Sequence, residues 1–216
     1  SGTPMLLAEP PARPRHTRKA PTVGWWGDGP PPWEQWPGVT IQIDARWIGK
    51  RERWETRDGQ YWFDAVEADR ACDFFPEFLR HYTAEFADQP FTLMPYQARL
   101  VVRPRFGWKR TPDDLRRFRV VFLAVPKGNG KSPLAAGLGL YLTFCDGEEG
   151  AAVYSAAADR EQAAIVFDNA RVMVQTSPDL DERAEVLRRA IYVPATRSSY
   201  KVLSSDVRTK HGPNVH

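Results

Sequence analysis

Arg119-Val-Val-Phe-Leu-Ala-Val-Pro-Lys-Gly-Asn-Gly-Lys-Ser-Pro-Leu-Ala-Ala136 is the stretch on which the reading of this 216-residue chain turns. Val120 to Val125 are mostly apolar and β-favouring, and they predict a strand. Pro126-Lys127-Gly128-Asn129-Gly130-Lys131-Ser132 follows as a glycine-containing turn, and Leu134-Ala135-Ala136 opens a helix-forming run. Strand, glycine turn and helix start with Gly-Lys-Ser together form the P-loop (Walker A) arrangement that grips nucleotide phosphates. A helix start leaves backbone N–H groups without partners and carries partial positive charge. Gly128 and Gly130 let the backbone turn and approach phosphate oxygens without Cβ clashes. Lys131 would neutralise the β- and γ-phosphates of ATP, and the Ser132 hydroxyl would hold Mg²⁺. The pattern departs from the general form twice. Val125 stands where its first glycine would be, and Pro133 removes one N–H from the helix start. The competing reading is an ordinary strand-to-helix turn with a solvated lysine.

Hydrophobic content of 42% and charged content of 26% describe a globular chain able to bury a core. A net charge of +3 does not by itself imply a nucleic-acid partner. Its distribution is more informative: Arg99, Arg103, Arg105, Lys109, Arg110, Arg116, Arg117 and Arg119 face only Asp113 and Asp114 within that segment. Such a local excess suits a polyanion or, equally, a solvated loop. Cys72 and Cys145 are far apart, and His16, His81, His211 and His216 show no ligand spacing, so neither a disulfide framework nor a zinc site is expected. No apolar run has the length of a membrane span, and Met5-Leu6-Leu7-Ala8 is too short for a signal peptide. A cytoplasmic protein is the simple expectation.

Residues 1–37 hold nine of the nineteen prolines together with Trp25, Trp26, Trp33 and Trp36, and read as a partly disordered arm. A strand is predicted over Val39–Ile48, a charged turn at Arg57-Asp58-Gly59, and a helix over Asp64–Phe86 with a kink or a restart at Pro76. Further on, the Gln97 amide both donates and accepts, as reading adenine requires, and Tyr96 offers a ring to stack. Behind the P-loop come a helix to Phe144, a buried strand Ala151–Ala156 and a helix capped by Asp159 and Gln162. That helix turns Ala163, Val166, Ala170, Met173 and Val174 inward. Ile191–Val193 and Tyr200–Leu203 read as an antiparallel pair. Alternating strands and helices predict an α/β P-loop NTPase with a mainly parallel sheet flanked by helices. The implied organisation is an arm (1–37), a strand and helical lead-in (38–90) and a P-loop ATPase domain (91–216). Nothing after Ser132 offers an apolar strand ending in Asp-Glu, because Glu148-Glu149 and Asp181-Glu182 lack one. The domain therefore reads as incomplete before its second acidic strand, and as inactive in hydrolysis alone.

Several stretches in order resemble the large subunit of tailed-bacteriophage terminases over roughly residues 64–216. They are Leu93-x-Pro-Tyr-Gln97, Phe106-Gly107-Trp108, Val125 to Ser132, Ser155-Ala-Ala-Ala-Asp-x-Glu-Gln-Ala163, and Lys210-His-Gly-Pro213. The resemblance implies an ATP-driven motor packaging double-stranded DNA, encoded by a phage or prophage and working in the bacterial host's cytoplasm. It implies a ring of copies on the procapsid, with the terminase small subunit and the portal protein as partners, and no membrane. The family's phosphate loop commonly lacks the first glycine and carries a basic residue where Lys127 stands, which would stabilise the γ-phosphate. A lysine lacks the arginine's bidentate fork. The resemblance also implies a nuclease domain that these residues do not contain. A helicase-like DNA translocase, a non-hydrolysing nucleotide-binding assembly module and a degenerate prophage remnant are the alternatives.

Overall fold

The computed structural model describes residues 45–48, 53–82, 88–156 and 160–203. The arm at 1–37, Val39, Ile41, Ile43, Phe86, Asp159 and the Lys210–Pro213 stretch lie outside the described residues. Two compact units form, and the chain passes between them at 73/74, 91/92 and 122/123. The first unit gathers 45–48, 53–73 and 92–122; the second gathers 74–82, 88–91, 123–156 and 160–203.

The first unit is built on an antiparallel sheet, β1 (Ala45–Ile48), β2 (Arg53–Thr56), β3 (Tyr61–Phe63) and β4 (Trp108–Arg110), paired in that order. The charged turn lies where the sequence puts it, between β2 and β3. Asp58 accepts from the Thr56 hydroxyl at 2.5 Å and the Gln60 amide at 3.0 Å, and Gly59 takes φ +69°, which a β-carbon disfavours. Helix α1 (Ala65–Phe78) follows β3, with Asp64 as its N-cap accepting from the Glu67 amide at 3.1 Å. Burial pushes the Asp64 carboxyl above its usual range. Phe63, Ala68 and Trp108 form the core. The Phe106-Gly107-Trp108 stretch has a packing reason: a β-carbon on Gly107 would sit 2.3 Å from the Phe63 ring, which meets Trp108 edge-on at 5.4 Å. Arg103, 3% exposed in α2 (Arg103–Gly107), pairs with Asp69.

The predicted helix to Phe86 ends at Phe78. Pro76 does not restart it: the helix runs on through the proline, which lies in the last turn, and Arg80 Nη1 caps the Pro76 carbonyl at 2.8 Å. Beyond it the chain is extended, with Arg80 opposite Pro90 and the His81 amide on the Gln89 carbonyl at 2.9 Å.

In the second unit, helix α3 (Lys131–Phe144) and helix α4 (Arg160–Gln175) pack together beside a sheet ordered β5-β8-β7-β6. Its strands are β5 (Ala152–Ser155), β6 (Glu185–Val186), β7 (Ala190–Val193) and β8 (Ser198–Val202), and the short helix α5 (Pro178–Asp181) precedes β6. The antiparallel pair predicted near 191 and 200 is β7 with β8. The mainly parallel sheet is not what forms. Among the described residues only β5 with β8 is parallel, and the sheet is mixed. β5 is half-buried, alternating about Val153 and Ser155, where a fully buried strand was expected. On α4, Ala170, Met173 and Val174 are buried as read, joined by Phe167, whose ring meets Tyr200 edge-on at 5.5 Å.

The strand predicted over Val120–Val125 is absent. Residues 120–126 pair with no strand, and Val120 and Phe122 are 85% and 91% exposed. β-favouring side chains form a strand only when a neighbour supplies ladder partners and a face to bury, and the described residues supply neither.

Candidate nucleotide site

What the strand does not supply, α3 does. Gly137 and Gly139 let this helix approach its neighbours at backbone distance. A β-carbon at 137 would lie 2.4 Å from Phe75 Cε1, and one at 139 would lie 2.8 Å from Tyr200 Cε1. The helix start is thereby held by buried aromatic rings, with Leu134, Ala136, Leu140 and Tyr141 enclosed.

Gly130 is the N-cap of α3 in the left-handed region, φ 67° and ψ 22°, and no side chain caps the helix. Gly128 also takes positive φ, +88°, in open space, so conformation and not crowding calls for glycine there. The first helical bond runs from the Leu134 amide to the Gly130 carbonyl at 3.0 Å. Ahead of it, the amides of Gly128, Gly130, Lys131 and Ser132 take no backbone carbonyl among the described residues. Pro133 has no N–H to add. Lys131 Nζ curls back over its own loop, donating to the Val125 carbonyl and to the Pro126 carbonyl at 3.3 Å, while Asn129 Nδ2 donates to Pro126 at 3.2 Å. Pro126, Asn129 and Lys131 are thus brought together, and Lys127 stands exposed. Amides without a backbone acceptor at a dipole's positive end, beside an ammonium, fit an anionic ligand. Ser132, on the first turn, offers one hydroxyl. That suits an ion held mainly by phosphate oxygens and water, and among the described residues no cluster of three or more His, Cys, Asp or Glu forms a metal site by itself.

Tyr96 and Gln97 belong to the first unit. Gln97 begins a π-helical turn, Gln97–Val102, and is fully buried. Its Oε1 accepts from the Met94 amide at 2.9 Å and its Nε2 reaches the Tyr96 hydroxyl at 3.4 Å. Much of the amide is already engaged in closing its own turn.

The basic stretch is not simply a solvated loop. Arg117 lies 4.2 Å over Tyr61, and Arg116 and Arg105 lie 4.8 and 5.5 Å over Phe106. Burial, and then Arg116, lowers the Lys109 ammonium below its ordinary range; burial, and then Arg119, does the same to Arg105.

A glycine-capped helix start beside a lysine, in an α/β chain, has the form found in phosphate-binding proteins. Residues 95–215 match the family described as terminase large subunit, ATPase domain, and the chain belongs to that family. Over 151 residues it is 29% identical to the terminase large subunit of Enterobacteria phage HK97, covering 68% of this chain and 28% of that protein. It also resembles the crystal structure of the HK97 bacteriophage large terminase, with a TM-score of 0.54 and 29% identity over 67% of this chain and 29% of the other. The chain therefore spans less than a third of the length of these relatives. Among the described residues no helix is long and apolar enough to cross a membrane.

Proposed function

We propose that this chain supplies the phosphate-gripping part of an ATP-driven motor that packages double-stranded DNA. The observation that carries the reading is the start of α3, with two positive-φ glycines, amides that take no backbone carbonyl among the described residues, and Lys131 at one point. The amides of Gly128, Gly130, Lys131 and Ser132 bind the β- and γ-phosphates, and Pro126 and Asn129 shape the loop. Lys131 leaves the Val125 and Pro126 carbonyls to meet the phosphates, and the exposed Lys127 reaches the γ-phosphate. For Tyr96 and Gln97 the proposal is separate: recognition of an adenine ring, for which the Gln97 amide would leave the Met94 amide and the Tyr96 hydroxyl. The Ser132 hydroxyl would hold Mg²⁺, which would supply charge neutralisation at the phosphates. In the whole motor, water attacks the γ-phosphorus in line with the leaving oxygen.

By the same reading the motor acts in the host cytoplasm as a ring on the procapsid, with the portal protein and the small subunit as partners. The basic stretch from Arg99 to Arg119 suits contact with DNA. The test is calorimetric titration of ATP with Mg²⁺ into the chain and into Lys131→Ala. Losing the ammonium should weaken binding by about 2–5 kcal/mol, as for a desolvated charge pair deprived of one member. Equal affinities, with unchanged thermal stability, would overturn the assignment.

A further inference from the structure

A cleft of about 270 Å³ opens in the second unit, on the outer side of α4, lined by Ala164, Phe167, Asp168, Arg171, Arg188, Arg189 and Val202. Its parts come from three places in the sequence. Asp168 and Arg171 lie one helical turn apart on α4, where Arg171 Nη2 meets Asp168 Oδ1 at 3.1 Å. Arg188 and Arg189 form the β6–β7 turn, closed by the Leu187 amide on the Ala190 carbonyl at 2.8 Å. Val202, at the end of β8, donates its amide to the Arg189 carbonyl at 3.3 Å, fixing that turn against the sheet. The adjacent pair Arg188-Arg189 gives no sequence signal by itself, because the fold alone brings α4 beside it.

Two features point to a ligand. Three guanidiniums face a single carboxylate, so the lining carries a surplus of two positive charges. Arg171 Nε, moreover, is buried with no hydrogen-bond partner among the described residues, even though the same guanidinium is engaged at Nη2. A buried donor left unpaired is costly, so the contact with Asp168 leaves this guanidinium incompletely satisfied. Guanidinium forks match the oxygens of carboxylate or phosphate. Charge balance separates those two: a carboxylate leaves one positive charge uncompensated, whereas a phosphate monoester, near −2 at neutral pH, matches the surplus. The floor of Ala164, Phe167 and Val202 is apolar, and the volume exceeds that of a phosphate alone, leaving space for an organic group.

We propose that this cleft binds a phosphate monoester, carried either by a small sugar phosphate or by the 5′ end of a nucleic acid strand. The phosphate lies between Arg171, Arg188 and Arg189 and accepts from their guanidinium N–H groups. The organic group rests on Phe167 and Val202.

The experiment follows the arginine Nε–H signals of the ¹⁵N-labelled chain by NMR, in a Lys131→Ala background so that the α3 loop does not contribute. The Arg171 signal, assigned through Arg171→Lys, should move saturably with ribose 5-phosphate and stay still with ribose. Arg189→Gln, at an exposed turn, should weaken that binding about tenfold, as expected for one lost charge-assisted bond. A 5′-phosphorylated duplex that moves the signal, against an unphosphorylated one that does not, identifies a strand end as the source. A response to ribose 5-phosphate alone identifies a small sugar phosphate. An unmoved signal with every phosphate, an equal response to the unphosphorylated duplex, or undiminished binding by Arg189→Gln would each overturn the proposal.

Discussion

Gly137→Ala sets two effects of opposite sign against each other inside α3. In an isolated helix the change gains roughly 1 kcal/mol, because glycine has the greater backbone freedom to lose. Here the new β-carbon would lie 2.4 Å from Phe75 Cε1 and 3.0 Å from Leu79 Cδ1, against an ordinary carbon contact of about 3.5–4.0 Å. Phe75 and Leu79 are both fully buried. The Phe75 ring is further fixed edge-on by Phe91 at 5.4 Å and Phe74 at 6.1 Å, so it has nowhere to swing. Overpacking of this kind costs about 1–3 kcal/mol, and an overlap beyond an ångström belongs at the upper end. The net expectation is a loss of about 2 kcal/mol, or a fall of about 4–8 °C in Tm for a chain of this size. Urea unfolding of wild type, Gly137→Ala, Phe75→Leu and the double variant measures it. The double variant should recover about 1 kcal/mol relative to additivity, since the smaller side chain removes the clash. A Gly137→Ala chain more stable than wild type would refute the claim that α3 is held by backbone-close packing.

Three further outcomes follow from other contacts. His81 packs edge-on against Phe91 at 4.8 Å, and burial holds its pKa below the ordinary 6.5. The fold favours the neutral ring, so its contribution is complete above pH 6.5 and is lost as pH falls through the depressed value; His81→Phe should flatten the stability profile between about pH 7 and pH 5 in denaturant titrations. Asp69→Ala removes one carboxylate from the buried Arg103 guanidinium, which keeps Cys72 and Asp73 nearby, and should cost about 1–3 kcal/mol; chemical unfolding that shows no loss would mean that the pair is not what stabilises α1 on α2. Gln97→Ala should reduce the preference for ATP over GTP in competition binding, and an unchanged preference would remove Gln97 from base reading.

Features fixed by single residues were the ones legible in the sequence. Gly59 marks the β2–β3 turn, the helix after β3 starts at Asp64–Ala65 as read, and Gly128 and Gly130 supply the two positive-φ positions ahead of α3. Each acts through its own dihedrals or its own side chain, so neighbours in sequence suffice to read it. The end of α1 was not legible, because Pro76 is as compatible with a last turn as with a restart, and the pairing of Arg80 with Pro90 decides between them. The mixed sheet was hidden for a related reason. Strand direction is set by which strands become neighbours, and β8 pairs both with its hairpin partner β7 and with the distant β5. The arginine cleft on α4 needed the whole second unit to assemble before its charges met.

The strand misread over Val120–Val125 changes what the phosphate loop depends on. Sequence reading anchors such a loop from both ends, by a strand before it and a helix after it. Here the preceding segment pairs with nothing among the described residues, and Phe122 is 91% exposed. The loop geometry is nevertheless formed, with Gly130 capping α3 and Lys131 folded back over Val125 and Pro126. The anchor must then be α3 itself, through Gly137 on Phe75 and Gly139 on Tyr200. Tyr200 is in turn fixed by burial and by its hydrogen bond to Ser155, with burial pushing its hydroxyl up to about 12. A disturbance at Gly139 should therefore reach the amides of Lys131 and Ser132 through a rigid helix, while changes at Val120 or Phe122 should leave those amides where they are.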